Sequence, residues 1–306
     1  MAKKILLTGS NGLLGQKLVE HISKDTQYQL IATSRGENRL RNKTGYTYHP
    51  LDITDREDVK KVMKLFEPDF VINTAAMTNV DQCETQHDDC WQLNVRSVEY
   101  LVEACQKTNC FLLHLSTDFI FDGENGPYDE QAVAKPISYY GTSKLAAERT
   151  VMKAKIPWAI ARTVLVYGIV EDMSRTNIVL WVKKSLEEKK TIQVVNDQWR
   201  TPTLAEDLAQ GCFQIIKKEA QGIFNISGKE FMSPYQMAIR TAEYFGLDKS
   251  YIVESDSTRF TQPAKRPPKT GFIIDKATNE LGYTPHSFEE GIKILAEQVE
   301  SLKLKI

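Results

Sequence analysis

The sequence has few cysteines and histidines, and their spacing argues against two kinds of site. The five cysteines are odd in number and form no CxxC pair, so they indicate neither a disulfide framework nor a zinc knuckle. The five histidines are scattered without the spacing of metal ligands. We therefore expect a reduced protein with no structural disulfides and no metal site.

Long hydrophobic runs and an excess of positive charge are also missing. The longest apolar segments have the length of a strand, whereas a membrane-spanning helix needs about 20 apolar residues. The first segment, MAKKILLTGSNG, becomes rich in glycine too early for a signal peptide. Lys and Arg number 39 against 40 Asp and Glu, so no basic surface for nucleic acid is expected. We predict a cytoplasmic protein that binds neither membranes nor nucleic acid.

Short apolar strands and helical segments alternate along the first half of the chain. The predicted strands are Lys3–Thr8, Tyr28–Ser34, Tyr46–Leu51, Asp69–Asn73, Cys110–Ser116 and Pro157–Val166. The predicted helices include Leu13–Ile22, one that starts with a capping box from Thr54 to Glu57, and segments near Cys90–Thr108 and Tyr139–Lys153. Continuously apolar strands that alternate with helices indicate βαβ units around a parallel sheet covered on both faces.

The first strand leads into a glycine-rich turn that opens a helix. The turn reads TGSNGLLG (8–15), with its glycines spaced GxxGxxG. Glycine lets the backbone approach a pyrophosphate, which the N–H groups at the helix N-terminus can bind. An ordinary tight turn is the alternative, but a place at the head of a βαβ series favours dinucleotide binding. The predicted cofactor contacts in this turn are Gly9, Asn11, Gly12, Leu13 and Gly15.

The predicted fold class is therefore α/β, a doubly wound parallel Rossmann sheet with a smaller α/β C-terminal substrate domain. After Gly168 the pattern loosens, but the helix and strand within Thr203–Ile226 are expected to return to the sheet. We predict an NAD(P)-binding domain of residues 1–168 and about 201–227. The substrate domain is predicted to comprise about 169–200 and 228–306, with the active site in the cleft between the two.

The second strand ends without the acidic residue that binds the ribose hydroxyl of NAD. Its last residue is Ser34, and Arg35 follows; both side chains are suited to the 2′-phosphate of NADPH. A solvated surface arginine is the alternative for Arg35. NADPH is therefore favoured as the cofactor, and NADH remains possible.

Two further strand ends carry candidate cofactor contacts. Asp52 and Ile53 follow the third predicted strand. Asn73 ends the fourth predicted strand, and Ala75 and Ala76 come shortly after it. Carboxyl ends of parallel strands meet at the edge of the sheet where such folds bind ligands. The small alanines would let the backbone lie against a cofactor there.

Tyr140 and Lys144 form a YxxxK motif on one face of a predicted helix. The lysine cation is expected to lower the pKa of the phenol, so that Tyr140 can transfer protons nearer neutral pH. Thr117 ends the fifth strand at the same sheet edge and is the candidate hydrogen-bond donor to a substrate carbonyl. For the motif alone, a solvated Tyr–Lys pair is the alternative. His114, in the same strand, is interpreted as a core histidine.

With these motifs together, the sequence resembles the extended short-chain dehydrogenase/reductase family and, within it, the dTDP-4-dehydrorhamnose reductases. The similar segments span nearly the whole chain: TGSNGLLG (8–15), LDIT (51–54), NTAAMTNVDQCE (73–84), LSTDFIFDG (115–123), YYGTSKLAAE (139–148), ARTVLVYG (161–168) and RPPKTGF (266–272). LSTDFIFDG and YGTSKLAAE in one chain are more specific than the glycines or YxxxK alone.

The resemblance implies roles for individual residues. Thr117, Tyr140 and Lys144 match the family's catalytic positions, and Tyr140 and Lys144 would also contact the cofactor. Asp52 and Ile53 match an adenine pocket. The implied or interpreted substrate contacts are Thr78, Val80, Asp118, Asn177, Trp199 and Arg266.

The implied reaction is NADPH-dependent reduction of the C4 ketone of dTDP-4-dehydro-β-L-rhamnose. Tyr140 would protonate the carbonyl oxygen, Thr117 would hydrogen-bond it and Lys144 would support Tyr140. The implied partner is a nucleotide-sugar, and a homodimer is possible. One departure stands out: Arg200 occupies a position where close family members carry a glycine, in a DQxGxPT segment. The base and the sugar therefore stay open.

Two other kinds of protein remain as alternatives. The family's 4,6-dehydratases carry a glutamate where this chain has Phe119, so dehydration is not expected, whereas an epimerase acting on another sugar nucleotide is an alternative. The regulatory β-subunits of methionine adenosyltransferases resemble these reductases as well and keep the Tyr–Lys pair. A non-catalytic, NADP-binding regulatory subunit is thus the second hypothesis.

Overall fold

The computed structural model describes residues 2–171 and 176–302. The strands are β1 (Lys3–Thr8), β2 (Tyr28–Ser34), β3 (Thr47–Pro50), β4 (Phe70–Asn73), β5 (Phe111–Thr117), β6 (Trp158–Thr163), β7 (Val166–Tyr167), β8 (Ile192–Val195), β9 (Thr203–Leu204), β10 (Gly222–Asn225) and β11 (Ile252–Ser255). The helices are α1 (Leu13–Ile22), α2 (Arg56–Phe66), α3 (Val80–Thr85), α4 (His87–Trp91), α5 (Ser97–Thr108), α6 (Tyr139–Met152), α7 (Ile178–Glu187), α8 (Ala205–Lys218), α9 (Pro234–Phe245) and α10 (Phe288–Leu302).

A seven-stranded sheet forms the centre of the protein. Its order is β10-β6-β5-β4-β1-β2-β3, and every neighbouring pair is parallel. The order reverses direction between β1 and β4, as in a doubly wound Rossmann sheet, so a crevice forms there at the carboxyl ends. The predicted α/β class is confirmed. In the register of the ladder, Thr8 pairs with Asn73 and Asn73 pairs with His114, which places these three residues side by side.

Both faces of the sheet are buried. All seven residues of β5 are buried, as the continuous apolar run predicts. On one face Leu7, Leu113 and Phe224 pack with α1 and α8; on the other, Leu6 and Leu112 pack with α2, α5 and α6. Helix α8 and strand β10 therefore cover and extend the sheet formed by the first part of the chain.

Two local predictions were wrong. Helix α2 is capped by Asp55, whose carboxylate accepts hydrogen bonds from the N–H groups of Glu57 and Asp58, whereas the predicted cap Thr54 bonds to Asp52. Asp is as good a cap as Thr, so the pattern alone did not distinguish neighbouring residues. The predicted strand Pro157–Val166 is broken after Thr163, because Leu165 adopts a left-handed φ of 37° and starts the separate strand β7.

The C-terminal half adds a second layer of structure. Strands β8 and β11 pair in parallel, and β11 was not predicted. Helices α7 and α9 pack beside this pair around Val182, Val194 and Ala238. Helix α9 is capped by Ser233 and has Pro234 as its first residue. In the part of the chain that the structure describes, no helix is long and apolar enough to cross a membrane.

Candidate active site

The glycine turn is shaped by two close approaches of backbone. Gly9 has a φ of +72°, and a Cβ atom on it would lie 2.9 Å from the backbone nitrogen of Ala75. A Cβ atom on Gly15 would lie 2.1 Å from the carbonyl oxygen of Gly9. Gly12 caps helix α1 without a side-chain hydrogen bond, which leaves the first N–H groups of the helix for an anion. Glycine at these positions permits the close backbone packing of the turn, and the turn and the helix N-terminus together fit the pyrophosphate of a dinucleotide.

Asn11 fastens the glycine turn to the loop after β2. Its side-chain oxygen accepts from the Arg39 N–H at 3.0 Å, and its nitrogen donates to the carbonyl oxygen of Glu37 at 2.8 Å. Ser34 is half-buried at the end of β2 and Arg35 is exposed. The turn and the loop that carries these two residues therefore form one edge of the crevice, and Leu13 follows as the half-buried first residue of α1.

The other predicted cofactor contacts lie at neighbouring strand ends. The carboxylate of Asp52 accepts from the backbone N–H of Thr54 at 2.9 Å, and Ile53 is buried beside it. Ala75 and Ala76 are half-buried in the segment that leaves β4. Asn73, the last residue of β4, is buried and bonds to Thr8 and His114.

The start of helix α6 presses against the turn after β5. Ser138 caps the helix by accepting from the Gly141 N–H at 3.2 Å. A Cβ atom on Gly141 would lie 2.1 Å from the carbonyl oxygen of Phe119, so only glycine permits this approach. The contact brings Tyr140 next to Thr117 at the carboxyl edge of the sheet. The Tyr140 ring meets Phe119 edge-on, with 5.7 Å between ring centroids.

The pKa of Tyr140 is shifted opposite to the predicted direction. Burial raises the pKa of the phenol strongly, and an interaction with the Thr117 hydroxyl only partly opposes this. The prediction failed because desolvation is the largest contribution to the shift, and the Lys144 amine donates to the carbonyl oxygen of Leu115 at 2.7 Å. Tyr140 is therefore a protonated phenol at neutral pH, which suits a proton donor.

The Lys144 side chain is buried, including its amine. Only 3% of the residue is exposed, and its Nζ lies 3.4 Å from Nε2 of His114 in addition to the Leu115 contact. Burial lowers the pKa of Lys144 to about 8, while the nearby Glu148 carboxylate opposes the shift. The lysine thus titrates close to physiological pH, as groups at catalytic sites often do.

Asp118 and Arg200 form a buried pair directly behind Thr117. The Asp118 carboxylate accepts from the Thr117 hydroxyl at 3.1 Å and from the Thr270 hydroxyl, and its Oδ2 lies 3.6 Å from Nε of Arg200. The Arg200 guanidinium also donates to carbonyl oxygens, to Pro267 at 2.7 Å and to Pro268 at 3.0 Å. Burial raises the pKa of Asp118 although Arg200 opposes the shift. Arg200 therefore ties the 267–270 segment to the end of β5.

We expect the substitution Arg200→Met to destabilise the protein by about 3–5 kcal/mol, because it leaves the Asp118 carboxylate buried without its cation. The double variant Arg200→Met/Asp118→Asn should recover part of this loss. Urea denaturation of both variants measures the effect. Equal stability of Arg200→Met and the wild-type protein would show that the pair contributes nothing.

The predicted substrate contacts are not all brought together. Asn177 and Arg266 line a cavity of about 360 Å³ between the start of α7, strand β8 and the 257–266 loop, with Trp181, Gln198 and Phe260 also on its walls. Arg266 is held by Asp81 through two hydrogen bonds of 3.1 and 2.7 Å, which lower the pKa of that carboxyl.

The remaining predicted contacts lie elsewhere. Asp118 is buried in the pair with Arg200. Trp199 packs against Phe231 with 5.5 Å between ring centroids. Thr78 is exposed in the segment before α3, and Val80 begins that helix. Among the residues that the structure describes, no group of three or more Asp, Glu, His or Cys could hold a metal ion.

Three features of the site were missed from the sequence. They are the Arg200–Asp118 pair, the Arg266–Asp81 pair and the contact of His114 with Lys144. Arg200 and Asp118 are far apart in sequence, and no periodicity signals such a pairing. His114 was visible as a polar residue inside an apolar strand, which is the one signal that was available.

Fold and site together define an α/β protein of the Rossmann type that carries the Tyr–Lys pair of the short-chain dehydrogenases/reductases. A family model described as RmlD substrate binding domain matches residues 3–301, and this chain belongs to that family. The RmlD family membership agrees with the resemblance found in the sequence.

The similar proteins include both a reductase and a regulatory subunit. A dTDP-4-dehydrorhamnose reductase of Aggregatibacter actinomycetemcomitans is 29% identical, with 97% of this chain and 99% of the relative covered. The methionine adenosyltransferase 2 subunit beta of Rattus norvegicus is 30% identical over 82% of this chain and 75% of its own. A crystal structure of dTDP-4-dehydrorhamnose reductase from Bacillus anthracis in complex with NADP is 27% identical, with a TM-score of 0.82, covering 97% of this chain and 100% of that one.

Proposed function

We propose that this protein is an NADPH-dependent reductase of the C4 ketone of a nucleotide-linked deoxysugar. We propose dTDP-4-dehydro-β-L-rhamnose as the substrate and dTDP-L-rhamnose as the product. The observation that carries the proposal is the meeting of Tyr140, Thr117 and Lys144 at the sheet edge next to the glycine turn. The reductase relative that matches 97% of this chain supports the choice of substrate.

The cofactor would lie along the carboxyl edge of the sheet. Gly9, Gly12 and Gly15 would hold its pyrophosphate, while Ser34 and Arg35 would face the adenosine ribose and its 2′-phosphate. The NADP bound to the Bacillus anthracis relative supports this preference. NADPH supplies the hydride when it is bound.

The protein's own contribution is to position the ketone and to supply its proton. Tyr140 donates a proton to the carbonyl oxygen, which its raised pKa allows because the phenol is protonated at neutral pH. Thr117 donates a hydrogen bond to the same oxygen once its hydroxyl turns away from the Asp118 carboxylate, which accepts from it in the structure. The Lys144 ammonium stabilises the phenolate that remains, and a low-dielectric surrounding makes this charge interaction strong.

We propose the two-domain division of the sequence analysis, with residues 1–168 and about 201–227 holding the cofactor and about 169–200 and 228–306 holding the substrate. The parallel pairing of β10 with β6 and the packing of α8 against α1 support this division. The cavity at Asn177 and Arg266 would receive the nucleotide. The cytoplasm is the proposed location, and a homodimer stays a prediction.

A non-catalytic regulatory subunit is the second candidate, and the 30% identity to methionine adenosyltransferase 2 subunit beta favours it. The presence of Thr117, Tyr140 and Lys144 suits both candidates, since the fold alone does not assign an activity. They differ in one measurable property: only the reductase oxidises NADPH when a 4-keto sugar nucleotide is added.

The test is the oxidation of NADPH by the purified protein, followed by absorbance at the nicotinamide band. We expect oxidation that depends on dTDP-4-dehydro-β-L-rhamnose and is faster with NADPH than with NADH. Activity only with another 4-keto sugar nucleotide would correct the substrate. Binding of NADPH without any oxidation would favour the regulatory candidate over the reductase.

A further inference from the structure

A line of four buried polar side chains runs from the glycine turn to Lys144. Thr8, Asn73 and His114 lie side by side on β1, β4 and β5, on the face of the sheet that α6 covers. Each of the three is 1% exposed, and Lys144 is 3% exposed. Buried polar groups of this kind persist only when they are hydrogen-bonded, so their partners define what they do.

The contacts along this line are continuous. The Thr8 hydroxyl donates to the side-chain oxygen of Asn73 at 2.6 Å, and the Asn73 nitrogen lies 3.1 Å from Nδ1 of His114. Nε2 of His114 lies 3.4 Å from Nζ of Lys144, which also donates to the Leu115 carbonyl oxygen. Both ring nitrogens of His114 are therefore engaged, one toward the cofactor turn and one toward the lysine.

The single ring proton of a neutral imidazole couples these contacts. Burial and the charge of Lys144 hold the pKa of His114 well below its usual range, so the ring carries one N–H and one lone pair. When Lys144 is an ammonium, Nε2 must accept, Nδ1 carries the proton and the Asn73 amide must present its oxygen. When Lys144 is a neutral amine, Nε2 can donate and the amide presents its nitrogen instead, which is the amide orientation in the structure. In the ammonium state the amide is turned over, and its nitrogen donates to the Thr8 hydroxyl.

We propose that His114 is a positioning residue for Lys144: it holds the lysine amine from the strand side and links its protonation state, through the ring tautomer, to the Asn73–Thr8 pair. His114 lies behind the lysine, inside the sheet layer, and acts through it. The proposal rests on the proposed function only in taking Lys144 as the group that supports Tyr140.

Other titratable groups also face Lys144. Glu148 follows one turn later in α6, and its charge favours the ammonium, as do Cys90 and Cys83 from the α3–α4 side. The Glu148 carboxylate is bonded to Arg162, whereas the His114 ring and the Leu115 carbonyl oxygen are within hydrogen-bond distance of Nζ. Loss of the ring acceptor should therefore change the lysine even with Glu148 and the thiols in place.

Two amide substitutions separate the two sides of the ring. Glutamine places its amide near the position of Nε2 and can keep the contact with Lys144, whereas asparagine places its amide near Nδ1 and can keep only the Asn73 contact. We expect His114→Asn to lower kcat by about tenfold, the effect of losing one hydrogen bond to a charged group. His114→Gln should keep kcat within about threefold of the wild-type value.

The alkaline limb of the plot of kcat against pH distinguishes the two roles of His114, because a purely structural role would leave this limb unchanged. Without an acceptor at Nε2 the ammonium is less favoured, so the limb should shift to lower pH by about one unit in His114→Asn. Leu113→Val, on the same strand but the opposite face, is the control for lost stability and should leave the limb in place. Equal kinetics and equal limbs in His114→Asn and His114→Gln would overturn the proposal.

A measurement on the wild-type protein alone keeps this inference separate from the proposed function. We expect ¹⁵N NMR of the His114 ring to show the Nδ1–H tautomer at lower pH and Nε2–H at higher pH, with the change near the Lys144 pKa of about 8. If the His114 ring kept one tautomer over the whole pH range, the coupling between this ring and Lys144 would be overturned, even if the protein is a reductase. A tautomer change without reduction of any sugar nucleotide would support the coupling and count against the reductase.

Discussion

The variant Tyr140→Phe is expected to lose about 10²–10⁴-fold in kcat, the range typical for removal of a general acid. Phenylalanine lacks the proton that the carbonyl oxygen needs, but it fills the same space. The Tyr140 ring packs with Cys83, Cys90 and Phe119, and these apolar contacts are kept. Binding of NADPH, followed by nicotinamide fluorescence, should therefore change little while turnover is lost.

The neighbouring tyrosine provides a matched control. Tyr139 is half-buried and stacks on His87, with 3.8 Å between ring centroids, and lies one residue before the proposed acid. Tyr139→Phe makes the same chemical change and should keep its kcat. If Tyr140→Phe retained more than about a tenth of the wild-type kcat, the proton would have to come from another group.

The cofactor edge could be predicted from the sequence because its determinants are local. Lys3–Thr8, Leu13–Ile22 and Tyr28–Ser34 have the predicted bounds, and the glycine spacing indicated the close backbone contacts at Gly9 and Gly15. The contacts that require glycine are made within the turn or with the neighbouring strand end. Apolar runs and turn residues carry that information along a short stretch of chain.

The second half of the site depends on contacts that are distant in sequence. The Arg200–Asp118 pair joins positions that are 82 residues apart in the sequence. The local sequence around either residue does not indicate its partner. Sequence reasoning assigned Asp118 to the substrate, whereas the structure buries it against Arg200 and Thr270. The short strand β11 was missed for the same reason, because its pairing with β8 exists only in the folded chain.

The predicted direction of the Tyr140 pKa failed for a related reason. The YxxxK spacing correctly places the two side chains on one helix face, but it does not reveal how deeply that face is buried. Desolvation is the largest cause of the shifts of both Tyr140 and Lys144. Burial by the α3–α4 side and the Phe119 turn therefore decides the charge state of the site.

That burial leads to the second large expected effect: Lys144→Met should lower kcat at least about 10²-fold and at the same time stabilise the protein. The pKa of Lys144 is lowered from 10.5 to about 8. Below pH 8 the folded protein keeps a buried ammonium, and the difference between the two pKa values corresponds to roughly 3 kcal/mol. Methionine fills the site without that charge.

The sign of the pH dependence follows from the same pKa values. Between about pH 8 and 10.5 the folded protein has released the Lys144 proton while the unfolded chain still binds it, so the free energy of unfolding of the wild type rises with pH. The advantage of Lys144→Met in urea denaturation should thus be largest at pH 7 and shrink by pH 10. Lys153→Met, an exposed lysine at the end of the same helix, should change neither kcat nor this difference. An advantage that is absent at pH 7, or that grows with pH, would contradict a buried charge at Lys144.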